Sequence, residues 1–142
     1  MLSTIRSLRA SSAQAAAGTV TGDAVSLGRA YRELIVHLDV TDAATDAADT
    51  LDVYVDTSFD GGTTWVNIGH FAQVLGNGGA EAFAMSFCNQ NPGASAVTAV
   101  SSDAAAGATR QIGFSDQLRY RGVMVDADAN GSFTYSVSAF LK

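Results

Sequence analysis

The chain has 142 residues, 47% of them hydrophobic and only 15% charged, with a net charge of −6, one cysteine and one lysine. That length fits one domain with a core of its own, and a single cysteine, Cys88, excludes an internal disulfide and fits a reducing compartment during folding. Seven scattered arginines and Lys142 in an acidic chain argue against a nucleic-acid binder, which needs clustered cations to displace counterions. No run reaches the ~18 apolar residues of a membrane-crossing helix, and no apolar h-region marks a secretory signal.

Residues 1–17 (MLSTIRSLRASSAQAAA) place Leu2, Ile5 and Leu8 three apart, with Arg6 and Arg9 beside them. Three readings fit: a short amphipathic helix, a frayed terminus, or an extended arm that orders on a neighbouring subunit through its arginines. The domain expected beyond it spans residues 18–142. Residues 18–27 read as a short strand with a kink at Gly22-Asp23. Residues 31–41 read as a strong strand, with Leu34, Val36, Leu38 and Val40 on one face and Glu33, His37 and Asp39 on the other. Ile35 interrupts the polar face and implies a cover there. Residues 42–49 are a small-residue connection.

Thr50 to Phe71 is the clearest hairpin. Leu51, Val53, Val55 and Thr57 oppose Asp52, Tyr54, Asp56 and Ser58, the turn is Asp60-Gly61-Gly62, and Val66 and Ile68 return opposite Trp65 and Asn67. Residues 72–79 form a glycine-rich turn cluster. Residues 80–88 resume a strand with Phe83, Met85 and Phe87 as core. Residues 89–110 hold the only proline, Pro92, and a low-complexity run. Either residues 95–100 form an irregular edge strand or the segment lies on a partner. Residues 117–126 set Leu118, Tyr120 and Met124 against Arg119, Arg121, Val123 and Val125. Asn130-Gly131 signals a second tight hairpin, and Phe133, Tyr135, Val137, Ala139 and Leu141 make the core face of the last strand. About eight short strands without a long helix specify an all-β chain, an antiparallel β-sandwich or jelly roll.

Few residues offer chemistry. Asp126-x-Asp128-x-Asn130-Gly131 begins like a calcium loop, but the acid due at the twelfth position is Val137. A hairpin turn is expected, with Asp126 and Asp128 kept as candidates for weak calcium binding. No metal or other cofactor is otherwise expected. His37, His70 and Cys88 are too scattered for zinc, and no G-x-S-x-G elbow, Walker loop or dinucleotide fingerprint appears. No enzymatic activity is expected.

Ser58, Asp60, Gly62, Thr64 and Trp65 fit S-x-D-x-G-x-T-W at every fixed position. This segment resembles the Asp-box of sialidase propeller blades and of many unrelated β-proteins, which implies a structural turn remote from catalysis. One box in a chain this short excludes a propeller. At a broader level, LDVYVDTSFDGGTTWVNIGHFAQV, the Ala/Gly/Thr-rich loops and LRYRGVMVDADANGSFTYSVSAF resemble small structural proteins of tailed bacteriophages, among them capsid decoration (cement) proteins. The resemblance implies a virion protein on the capsid surface that clamps the major capsid protein, as a homo-oligomer with a trimer favoured. Composition and expected exposure make Arg6 and Arg9 of the arm and the Pro92–Ala108 segment, with Pro92, Val97 and Val100, the candidates for partner contacts. Phage tail or neck proteins fit the same residues. A carbohydrate-binding module is a further alternative, with Trp65 and Tyr54 as its aromatic platform.

Overall fold

The computed structural model describes residues 4–89 and 100–142. Its strands are β1 (Thr4–Gln14), β2 (Gly18–Thr21), β3 (Val25–Ser26), β4 (Glu33–Asp42), β5 (Thr50–Thr57), β6 (Val66–His70), β7 (Val74–Leu75), β8 (Glu81–Cys88), β9 (Ala108–Thr109), β10 (Gln117–Val125) and β11 (Phe133–Leu141). They form two sheets whose pairings are all antiparallel. One runs β1-β11-β4-β8. The other runs β2-β10-β5-β6-β9, with β3 also on β10 and β7 also on β5. The protein is a β-sandwich, as its alternating segments require.

The core lies where the period of two points inward. Leu34, Val36, Leu38 and Val40 of β4 and the odd-numbered residues of β11 from Phe133 to Leu141 face Leu51, Val53 and Val55 of β5 and Leu118, Tyr120 and Met124 of β10. All of them are buried. Gly122 continues the inward row of β10. A Cβ there would stand 2.1 Å from the Tyr135 hydroxyl oxygen, so only glycine lets that phenol reach across. Phe87 is buried at the open edge strand β8, whereas Phe83 and Met85 are half-covered. A free cysteine at a strand end is more often a small buried residue than a nucleophile, but Cys88 is exposed.

The N-terminal segment is neither a helix nor a frayed end. Residues 4–14 are extended and form the edge strand of the four-stranded sheet, hydrogen-bonded along β11 from Thr4–Leu141 to Gln14–Phe133. Irregularities between Ser7 and Arg9 and between Arg9 and Ser12 insert extra residues opposite β11. They turn both Leu8 and Gln14 inward, and this breaks the alternation that would have marked a strand in the sequence.

The kink expected after β2 is present: Gly22 donates to the Tyr120 carbonyl, and pairing with β10 resumes at β3. The 43–49 connection carries the chain from the four-stranded sheet to the seven-stranded one. The 126–132 connection carries it back, so the Asn130-Gly131 turn crosses between the sheets and does not close the expected hairpin.

Candidate functional site

The turn between β5 and β6 closes on Asp60. Its Oδ1 accepts the Ser58 hydroxyl at 2.8 Å and the Thr63 and Thr64 amides at 3.0 and 2.8 Å, and its Oδ2 accepts the Thr64 hydroxyl at 2.6 Å. The Ser58 hydroxyl in turn accepts the Gly62 amide at 2.8 Å, and Trp65 Nε1 donates to the Gly62 carbonyl at 3.1 Å. Gly61 and Gly62 take φ of 75° and 95°, which a side chain would resist. The Thr64 hydroxyl first, then the Thr64 amide and Ser58, hold the Asp60 carboxyl down at about 2. Every polar group of the motif is spent on the turn itself.

The outer face of the seven-stranded sheet is built around Asp56. It is 1% exposed, and its Oδ2 accepts Arg119 Nε at 3.1 Å and Arg121 Nε at 2.7 Å. Its Oδ1 accepts Arg121 Nη2 at 3.1 Å and Asn67 Nδ2 at 3.2 Å. Arg121 reaches on to Asp103 at 2.6 Å. Burial alone would lower the Arg121 pKa, but the carboxylates of Asp56 and Asp103 keep it raised. The two arginines also roof the two aromatics: Arg119 lies 4.4 Å from the Trp65 ring and Arg121 4.6 Å from that of Tyr54. The other face of Tyr54 stacks on His70 at 4.0 Å. Tyr54 is thus covered on both faces, by Arg121 and His70, and Trp65 on one, by Arg119.

His70 is fixed as well. Its Nε2 meets Asp52 Oδ1 at 2.9 Å, and its Nδ1 meets the Ala104 carbonyl at 3.0 Å. Both nitrogens are occupied, so neither is left to activate a nucleophile. The bulge between Val55 and Asp56 turns His70 and Asn67 to this same face. There Asn67 accepts the Ala104 amide at 2.9 Å, and Arg110 donates to the Asn67 carbonyl at 3.2 Å. The network therefore straps the 100–110 segment onto β6. Val100, 44% exposed, borders it.

Of the expected contact residues, Arg6 is exposed on the β1 edge. Arg9 is not free. Its guanidinium lies 4.2 Å from the Tyr135 ring and donates to the Tyr120 hydroxyl at 2.8 Å and the Ser12 carbonyl at 3.0 Å. Pro92 and Val97 lie outside the described residues.

The outer face of the four-stranded sheet contrasts with the Asp56 face. Ile5 of β1 sits opposite Phe140 of β11, and Phe140 sits opposite Ile35 of β4. The three are 60%, 36% and 37% exposed. Directly opposed side chains on one face lie about 4.5–5.5 Å apart at Cβ, so these make one continuous apolar row across three strands. The neighbouring row, Ser7-Ser138-His37-Ala84, is small and nearly uncharged. No protein-family model and no curated protein matches this chain.

The expected sites thus separate. The Asp-box residues come together in one turn, Arg6 and Arg9 part company, and Asp126 and Asp128 sit at the far end of β10. Phe140 and Ile5 went unread as surface residues. The signal for Phe140 was available: it follows Ser132, Thr134, Ser136 and Ser138 on the outward parity of its strand and is the one large apolar residue there.

Proposed function

We propose that this chain is a bacteriophage virion structural protein, a capsid decoration (cement) subunit that binds the assembled shell through the outer face of its four-stranded sheet. The observation that carries the reading is the exposed row Ile5-Phe140-Ile35. Four strands about 4.8 Å apart and nine residues long present roughly 20 by 30 Å. That approaches the ~800 Å² per partner of a standard specific interface. Each of the three side chains contributes at most about 1.5–3 kcal/mol on burial, so one face binds modestly. Repetition over a shell, or a trimer of such subunits, multiplies it. The resemblance of the hairpin and the C-terminal strands to phage structural proteins supports the same reading. The mechanism is mechanical: added contact area raises the free energy of separating the major capsid subunits.

The test is co-sedimentation of the purified protein with shells assembled from the major capsid protein of the same genome. A fixed copy ratio is expected, with at least tenfold weaker binding for Ile35→Asp and Phe140→Asp under conditions where melts show each variant still folded. Binding to tail or neck assemblies instead would move the protein to that part of the particle. Equal binding by both variants would remove this face from the interface.

A further inference from the structure

Both connections between β4 and β5 and between β10 and β11 leave the sandwich at the same end. Asp42 pairs with Thr134, and Thr50 with Val125, so the two loops emerge side by side. Asp49 is fully buried between them. Its amide donates to the Asp46 carbonyl at 3.1 Å, and its carbonyl accepts the Gly76 amide at 2.9 Å, which fixes its backbone. Asp49 Oδ1 accepts the Ala127 amide at 2.8 Å. Its Oδ2 has no partner, and among the described residues it is the single buried side-chain polar atom in that condition. An oxygen stranded in this way costs about 1–3 kcal/mol, more if charged.

That oxygen lies on the side of Gly131, whose amide Asp126 accepts, and Asp49 belongs to a cluster of acids. One carboxylate oxygen each from Asp49, Asp126 and Asp128 lie within 4.8 Å of one another. Asp126 Oδ1 accepts the Gly131 amide at 3.2 Å, and Asp128 accepts Asn130 through its amide and its side chain at 3.4 and 2.8 Å. These bonds hold the loop but leave the Asp49 oxygen unmatched. Gly131 keeps the space open, since a Cβ there would stand 2.6 Å from Asp49 Oδ2. Val137, at the position where a contiguous calcium loop would place its acid, is buried in the core and offers no oxygen.

We propose that Asp49, Asp126 and Asp128 bind a calcium ion that fastens the two connections to each other. Oxygens sharing one Ca²⁺ at about 2.4 Å can stand up to about 4.8 Å apart, which this cluster satisfies. Three carboxylates around one ion exceed what Mg²⁺ ordinarily takes, because it keeps several waters and uses one or two. The hard oxygen donor set, without nitrogen or sulfur, disfavours zinc and copper. Backbone carbonyls and water complete the shell. The site pulls an acid from the first connection into a loop that holds only two of its own, so it exists only in the folded chain.

The test uses the full chain, stripped with EDTA and titrated calorimetrically with CaCl₂ up to about 5 mM, above the roughly 10⁻⁴–10⁻³ M of the weakest protein calcium sites. One ion per chain is expected. Calcium at a hundred times its Kd should raise Tm by roughly 10 °C. Asp126→Asn and the exposed Asp128→Asn should each weaken binding at least tenfold, while Asp39→Asn, on the outer face of β4, should bind as wild type. No heat and no change in Tm would overturn the proposal. So would equal losses from Asp39→Asn, or Mg²⁺ binding as tightly as Ca²⁺.

Discussion

The Tyr135 hydroxyl donates a 2.7 Å hydrogen bond to Oε1 of Gln14 inside the sandwich. Gln14 ends the N-terminal strand, and Tyr135 stands in the strand beside it. The amide nitrogen of Gln14 goes on to the carbonyls of Gly18 and Gly122 at 3.2 and 3.4 Å. One buried amide thus ties the edge strand to both sheets.

Tyr135→Phe should therefore lower stability by about 1–3 kcal/mol, because it strands the Gln14 oxygen without opening a cavity. Burial pushes the Tyr135 phenol up to about 12. An unfolded phenol titrates near 10. The folded chain therefore favours the neutral form, and this contribution is complete below about pH 10 and lost as pH rises through 12. Urea melts of both proteins at pH 8 and 11 check it: the gap between them should shrink at the higher pH.

Gly122→Ala drives a methyl group into the same bond, 2.1 Å from the phenol oxygen and 2.9 Å from Gln14 Oε1. A loss of about 3 kcal/mol is expected from the overpacking and the displaced hydrogen bond. Adding Tyr135→Phe should recover part of it. A simple sum of the two single losses in denaturant melts would contradict the shared cause.

Asp56→Ala removes the anion from beneath two arginines whose side chains are 23% and 19% exposed. Taking one partner from a buried pair costs about 3–5 kcal/mol. The loss should appear in thermal melts together with release of the 100–110 segment, seen as faster amide exchange at Ala104. Protection at Ala104 equal to wild type would disconnect the strap from Asp56.

Asp60 predicts an acid limb. Its folded pKa of about 2 lies below the roughly 3.9 of an unfolded aspartate. The stabilisation it gives the turn is thus full above about pH 4 and declines as pH falls through 2. Carbon-detected NMR titration of the side chain reads the value directly. Asp60→Ala should also flatten the stability profile between pH 4 and 2.

Ala129 holds φ of 64° in the loop between β10 and β11. A left-handed residue with a side chain costs about 1–2 kcal/mol, partly offset by the greater unfolded-chain freedom of glycine. Ala129→Gly should raise stability by about 0.5–1 kcal/mol in EDTA.

Most of the sandwich was legible because the signal is local. The parities of β4, β5, β10 and β11 name the core residues that the structure buries, and Ser58 to Trp65 announce their own turn. What was not legible depends on distant pairing. β1 hides its period behind two irregularities. The Asp56 cluster joins β5, β6 and β10 with Asp103, residues that no spacing rule connects. Asp49 reads as one acid of a plain connection until Ala127 is laid beside it. Ile35 showed in the sequence as an anomaly, but its partners Ile5 and Phe140 come from the two ends of the chain.

Strand β11 lies between β1 and β4, and this order has a kinetic meaning. β1 has no place in its sheet until β11 has been made, since among the described residues nothing else bridges it to β4. Closure over so long a separation is slow, and the unfinished chain exposes two strand edges meanwhile. β1 and β11 therefore enter their layer together, and a chain cut before Phe133 would keep only the β4–β8 pair of it.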